Sequence, residues 1–300
     1  MKIVQSLWSK PGRRKAGQRF EEVNRCSWAD KKYNYFSWVL SCYQFREFYD
    51  EVELVTDAAG YDLLINRLEL PYTSVKVVLD DLNDYHPELW ALGKIYAYSL
   101  QDKPFIHVDG DVFIWQRFED RLHNASLLCQ SREEGVHFNR MYSQVFLPML
   151  QHFEYYPKVM DRSISRNDGI KAVNAGILGG CNTDFFKMYA KEAFSFIDNN
   201  LQHLDKIELS LSSIIFEQFL FSALLEESNE TLEYLNPNTN VLLNDFADYS
   251  GVPAKIKYIH TPGSTLKKNK HLVDALDYRL QTDHPEAYYK TMNLLRTNQI

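Results

Sequence analysis

Short apolar runs alternating with segments of helical spacing fill the first 110 residues, and this alternation restricts the fold more than any other feature of the sequence. The runs Lys2-Ile3-Val4-Gln5-Ser6-Leu7-Trp8, Val52-Glu53-Leu54-Val55-Thr56-Asp57, Val75-Lys76-Val77-Val78-Leu79 and Phe105-Ile106-His107-Val108 read as four strands. Residues 32–49, 60–70 and 87–100 read as helices between them, the last starting near a proline. The pattern predicts an α/β fold, with a mostly parallel central sheet flanked by helices and ligands gathered at the carboxyl ends of the strands.

Further along, residues 126–130 and 176–180 read as strands, and the glycines of the second allow close approach of backbone to a ligand. Thr183 is the expected cap of a helix over 184–199, and a second helix is expected over 212–227. A loop-rich stretch, 229–251, leads to a last strand over 254–260 and a terminal helix or helix pair over 274–295. There is no internal repeat, low-complexity tract or clear boundary. A single domain over 1–300 is expected, with its core over about 1–265 and a helical extension over about 266–300.

With 45% hydrophobic and 24% charged residues, the chain can bury a large core and is not a disordered polypeptide. Its formal net charge of -7 argues against nucleic acid as a partner, because such binding depends on clustered Lys and Arg. Cys26, Cys42, Cys129 and Cys181 have no C-x-x-C spacing, so neither a zinc site nor a disulfide framework is expected, and reduced thiols suit a cytoplasmic setting. The opening apolar run is too short and too soon charged for a signal peptide. No transmembrane segment is expected, which leaves peripheral membrane contact open.

The most informative segment is Phe105-Ile106-His107-Val108-Asp109-Gly110-Asp111-Val112-Phe113-Ile114-Trp115. Carboxylates in so apolar a setting need donors, basic partners or a cation nearby. Side chains at i and i+2 of an extended segment point the same way, so Asp109 and Asp111 can converge on one hard divalent ion, with Gly110 leaving room. The plainer alternative is a polar turn in which Asp111 accepts backbone hydrogen bonds.

The order of features resembles the GT-A fold nucleotide-sugar glycosyltransferases: an opening strand from Ile3 to Trp8, D-G-D after an apolar strand, then Asn174-Ala175-Gly176-Ile177-Leu178-Gly179-Gly180. The likeness covers roughly residues 1–265 and is closest to bacterial GT-A-like proteins of undefined activity, with a second likeness to the glycogenin-like retaining family. It implies a Rossmann-like sheet in one catalytic domain and a metal-dependent transfer of sugar from a nucleoside-diphosphate sugar, UDP-sugar favoured, to a hydroxyl acceptor. A glycan or glycolipid of the bacterial surface is the expected acceptor, and Mn2+ or Mg2+ on Asp109 and Asp111 the expected cofactor.

In the glycogenin-like family a His-x-x-Gly-x-x-Lys segment supplies a third metal ligand and a lysine for the diphosphate. His260 and Gly263 keep that spacing, whereas Lys267 comes one residue late. The likeness slightly favours retention of configuration. It further implies that Asn174, Ala175 and Gly176 line the donor-sugar and acceptor pocket, and that Lys94 stands near the diphosphate. Glu217 and Gln218 are implied to lie beneath the transferring sugar and with Asn174 to form the catalytic set, Glu217 acting as base toward the acceptor hydroxyl or orienting donor and acceptor. Gln5, Ser6, Trp8 and Asp57 fall where the base and ribose are held. The residues alone also allow plainer roles: core strand positions for Gln5 and Trp8, a solvent-facing Glu217, an exposed helix position for Lys94. The basic run Lys10, Arg13, Arg14, Lys15 and Arg19 is either a phosphate-facing loop or a solvated surface.

Three other classes compete. Asp109-Gly110-Asp111-Val112 also satisfies the haloacid dehalogenase phosphatase string, but three expected strands precede it and only the loose pair Asp245 and Asp248 follows. A sugar-phosphate nucleotidylyltransferase would need a glycine-rich N-terminal phosphate loop, which is absent. A binding module of the same fold, without turnover, remains the non-enzymatic alternative.

Overall fold

The computed structural model describes residues 1–12, 26–166, 169–209, 211–237 and 247–300. Nine strands are seen among them: β1 (Lys2–Leu7), β2 (Val52–Thr56), β3 (Ser74–Val77), β4 (Phe105–Val108), β5 (Val112–Ile114), β6 (Leu127–Glu133), β7 (Ala172–Gly180), β8 (Leu232–Tyr234) and β9 (Tyr258–His260). Seven form a mixed, mostly parallel sheet in the order β3-β2-β1-β4-β7-β6-β8, while β5 and β9 form a separate antiparallel pair. With helices in the same chain this is the expected α/β class. No helix among the described residues is long and apolar enough to cross a membrane.

The chain packs as two compact units. The first comprises residues 1–83, 107–118 and 241–300, and the second residues 84–106 and 119–240.

In the first unit β1, β2 and β3 are parallel, with Ile3 opposite Val52 and Glu53 opposite Ser74. Every residue of β2 is buried, as its unbroken Val-Glu-Leu-Val-Thr run requires for a strand covered on both faces. Glu53 is tolerated there because Lys2 meets it at 3.1 Å and Lys76 at 3.5 Å. The helix Lys31–Phe48 starts at Asp30, whose side chain accepts from Lys32 N, and it is buried around most of its circumference. The helices Lys270–Asp283 and Pro285–Arg296 pack on it. Val273, Leu276 and Leu280 belong to the same core as Phe36, Trp38, Leu54, Phe113 and Ile259. The expected C-terminal extension is therefore integral to this core, and its proline stands at the start of its second helix.

In the second unit β6 runs antiparallel to β7 and parallel to β8. The β6–β7 register slips: Cys129 pairs with Leu178, but Ser131 pairs with Asn174, so Ala175, Gly176 and Ile177 stand opposite Gln130 alone and bulge out of the ladder. A Cβ on Gly179 would lie 2.2 Å from Phe105 O, and one on Gly180, at φ +151°, 2.1 Å from Ser126 O. These two glycines make room for neighbouring backbone rather than for a ligand. Aromatics fill the core here: Tyr98, Phe105, Phe186, Tyr189 and Phe221 pack ring to ring, with Phe105 and Phe186 centroids 4.8 Å apart.

Several expected boundaries move. The 87–100 helix is only Leu92–Ser99, and 60–70 is a single α turn, Ala58–Tyr61, run into a π segment, Asp62–Arg67. The 212–227 helix opens with a π segment, Ile215–Phe219, before Leu220–Glu227. Asn182, not Thr183, caps the helix Thr183–Asp198, accepting from Phe185 N. The last strand is three residues long. Helices Val136–His152 and Lys158–Arg166 were not anticipated. Arg13, Arg14, Lys15, Arg19 and Asp245 lie outside the described residues.

Candidate functional site

The D-G-D segment links β4 to β5, and β5 is where the geometry is set. Val112 pairs with His260 and Ile114 with Tyr258, and Thr261 N donates to Asp111 O at 3.1 Å. The acid loop is thus tied to the end of β9, 150 residues later, through a ladder whose Phe113 and Ile259 are fully buried. On its other side Ser37 Oγ donates to Gly110 O at 2.5 Å, and a Cβ on Gly110 would lie 2.7 Å from the Trp38 indole. Gly110 is needed for close packing against Trp38.

One donor atom from each of Asp109, Asp111 and His260 lies within 4.8 Å of the others. Asp111 is 8% and His260 3% exposed, and Asp109 is half-buried. Asp111 Oδ1 is 3.5 Å from His260 Nε2, and Asp111 Oδ2 is 2.8 Å from Lys267 Nζ. Burial pushes the Asp111 carboxyl upward, but the Lys267 ammonium and then His260 more than reverse this and hold it well below the usual carboxylate range. Burial likewise pushes Lys267 down, and Asp111 keeps it above its ordinary value. Two carboxylates and an imidazole suit a hard or borderline divalent cation. The buried His260 Nδ1 has no hydrogen-bond partner, so no competing acceptor within the protein fixes the ring's tautomer. The residues fit Mn2+ or Mg2+.

The other expected residues of this unit surround the acid loop or support β1. Gln5 is fully buried; its Nε2 donates to Ser41 Oγ at 2.8 Å and to Asp109 O at 3.5 Å, while Tyr72 Oη donates to its Oε1. Ser6 Oγ pairs with His107 Nε2 at 2.9 Å. Trp8 is buried with its Nε1 unpartnered. Asp57 is engaged by the fold itself: Oδ2 accepts from Ser9 N and Oγ, and Oδ1 from Gly60 N at the start of a helical turn. Those three donors account for its burial without a ligand.

The second unit gathers Lys94, Asn174, Ala175, Gly176, Glu217 and Gln218 into one buried network. Lys94 is not an exposed helix lysine: its Nζ lies 2.5 Å from Glu217 Oε1 and donates to Ala175 O at 3.1 Å. Glu217, far from facing solvent, has no exposed surface. Asn174 Oδ1 accepts from Gly176 N at 3.0 Å. Side chains of Lys94 and Asn174 thus serve backbone groups in the bulge of β7. Glu133 and Tyr142, which sequence reasoning missed, complete the set: Glu133 accepts from Asn174 Nδ2 at 2.8 Å and from Tyr142 Oη at 2.5 Å. A hydroxyl has one proton, so the 2.5 Å contact between Tyr142 Oη and Gln218 requires the Gln218 amide to turn its NH2 toward the oxygen. The π segment holding Glu217 and Gln218 leaves carbonyls for Tyr189 Oη, which donates to Glu217 O at 2.8 Å. A Glu closing the Leu-Leu-Cys-Gln-Ser-Arg-Glu run was the available signal for Glu133.

No curated protein matches the chain. A family model described as a family of unknown function, DUF6734, matches residues 1–294. That match takes in nearly all of the sequence and every candidate site residue named above, and the chain belongs to the DUF6734 family.

Proposed function

We propose that the protein is a metal-dependent glycosyltransferase that moves a sugar from a nucleoside-diphosphate sugar, UDP-sugar favoured, to a hydroxyl acceptor such as a bacterial surface glycan or glycolipid. The observation that carries the reading is the convergence of Asp109, Asp111 and His260, with Lys267 alongside, on a loop at the carboxyl end of a sheet strand. The finer fold assignment, GT-A, belongs to the same proposal and rests on the order of these features. So does a cytoplasmic setting, which the four free cysteines suit.

Asp109, Asp111 and His260 would hold the Mn2+ or Mg2+. Such an ion neutralises charge developing on a departing diphosphate. Lys267 supplies a further positive charge in the same unit, and Gln5 holds the loop through Asp109 O. Asn174, Ala175 and Gly176 keep their proposed donor-sugar role within the second unit. For Glu217 the ion pair with Lys94 supports a positioning role over that of a base free to take a proton.

The test is release of nucleotide from UDP- and GDP-sugars with Mn2+, in the wild type and in Asp109→Ala and Asp111→Ala. Metal-dependent release lost in both variants supports the proposal. Tight binding of nucleotide sugars with no turnover toward any acceptor would replace it with the binding-module reading, and release independent of both aspartates would overturn it.

A further inference from the structure

The candidate metal site already contains a cation of its own. Lys267 Nζ sits 2.8 Å from Asp111 Oδ2, while Asp111 Oδ1 faces His260 Nε2 at 3.5 Å. Both oxygens of this carboxylate therefore have partners within the protein. Two carboxylates with one ammonium leave the cluster one net negative charge when His260 is neutral; without the ammonium it carries two.

The lysine is held in a way that lets its head move while its backbone stays. It closes the short helix Gly263–Lys267, Leu266 beside it is buried, and Lys267 O accepts from Ala29 N at 3.1 Å. The Trp28 ring centroid lies 5.5 Å from Nζ, an aromatic face over which an ammonium stays favourably placed. Withdrawal from Asp111 then needs only rotation about side-chain bonds.

We infer that Lys267 is a built-in counter-cation, competing with the divalent ion for Asp111 and so setting how tightly that ion is held. This rests on the proposal that Asp109, Asp111 and His260 form a metal site, and adds to it an antagonist within the same chain. Coulomb repulsion between an ammonium and a divalent cation sharing one carboxylate, in a mostly buried site, is large enough to change affinity by about tenfold or more.

The experiment is titration with Mn2+ alone, by calorimetry and by the paramagnetic resonance signal of free Mn2+, on the full chain. Lys267→Met should bind Mn2+ about tenfold or more tighter than wild type, and Lys267→Arg, which keeps the charge, should not. Because Lys267→Met leaves Asp111 short of a counter-charge, Mn2+ should also raise its Tm more than that of the wild type. Lys267→Gln gives the same comparison should the Met variant fold poorly. If wild type binds Mn2+ and both neutral variants bind it no more tightly, the competition is refuted and the site stands. If neither wild type nor the neutral variants bind Mn2+, or if Asp109→Asn in the Lys267→Met background leaves binding intact, the metal site itself is refuted.

Discussion

Val112 lies opposite His260 in the antiparallel β5–β9 pair, and this register brings a residue next to the acid loop together with the only histidine of the cluster. The opposite wall of the loop is Trp38, with no space for a methyl group on Gly110. Gly110→Ala must push back a buried indole, and overpacking of this kind costs about 1–3 kcal/mol. The variant should show a lower urea midpoint and weaker Mn2+ binding. An unchanged midpoint with unchanged binding would show that the loop is not fixed by Trp38.

Asp111 and Lys267 should behave as a coupled pair in stability. Removing one partner strands the other charge in a largely buried place, a loss of about 3–5 kcal/mol in comparable pairs. Asp111→Asn and Lys267→Met should each destabilise, and the double variant should lose clearly less than the sum. A double-mutant cycle in urea, without added metal, measures this; strict additivity would mean that the 2.8 Å contact carries no energy.

The strands at 2–7, 52–56 and 105–108 were legible because each is a short apolar run bounded by turn formers, and the acid pair because carboxylates are conspicuous beside Val108 and Phe113. His260 was legible only through its spacing to Gly263, since nothing local shows that it pairs opposite Val112. The antiparallel β6–β7 pair was hidden because a buried strand carries the same composition in either direction. Lys94 and Glu217 illustrate the other limit. Helical spacing places each on a helix face, but only tertiary packing determines that they meet at 2.5 Å away from solvent. Glu133 and Tyr142 are visible as a pair only once the bulge of β7 brings Asn174 to them.

Tyr142 is the hinge of the buried network in the second unit, donating to Glu133 and contacting Gln218. Burial, with the nearby Glu133 and Glu217 charges, pushes its phenol well above the ordinary value, so it stays a donor throughout the usual pH range. Tyr142→Phe removes the proton that Glu133 accepts while keeping the ring, and should destabilise by about 1–3 kcal/mol, the cost of a buried acceptor losing a partner. Glu133→Gln in the Phe background should recover part of that loss, because a neutral amide costs less to leave with fewer donors. A urea midpoint for Tyr142→Phe equal to that of the wild type would remove Tyr142 from the network.

His284 should give the first unit an acid-sensitive step. It caps the helix Pro285–Arg296 beside the Tyr43 ring, with centroids 5.1 Å apart, and its Nε2 is buried without a partner. Burial pulls its pKa below the ordinary 6.5, against the opposing influence of Asp283 and Glu47. As pH falls through about 6.5, the unfolded chain takes up this proton before the folded chain does, so stability declines until the folded value is passed. Above 6.5 both states carry a neutral ring and the residue adds no slope. His284→Asn removes the group that titrates, and its urea midpoint should fall less between pH 7.5 and pH 5 than that of the wild type. Parallel curves for the two proteins would mean that His284 titrates alike in both states, and that its contact with Tyr43 does not favour the neutral ring.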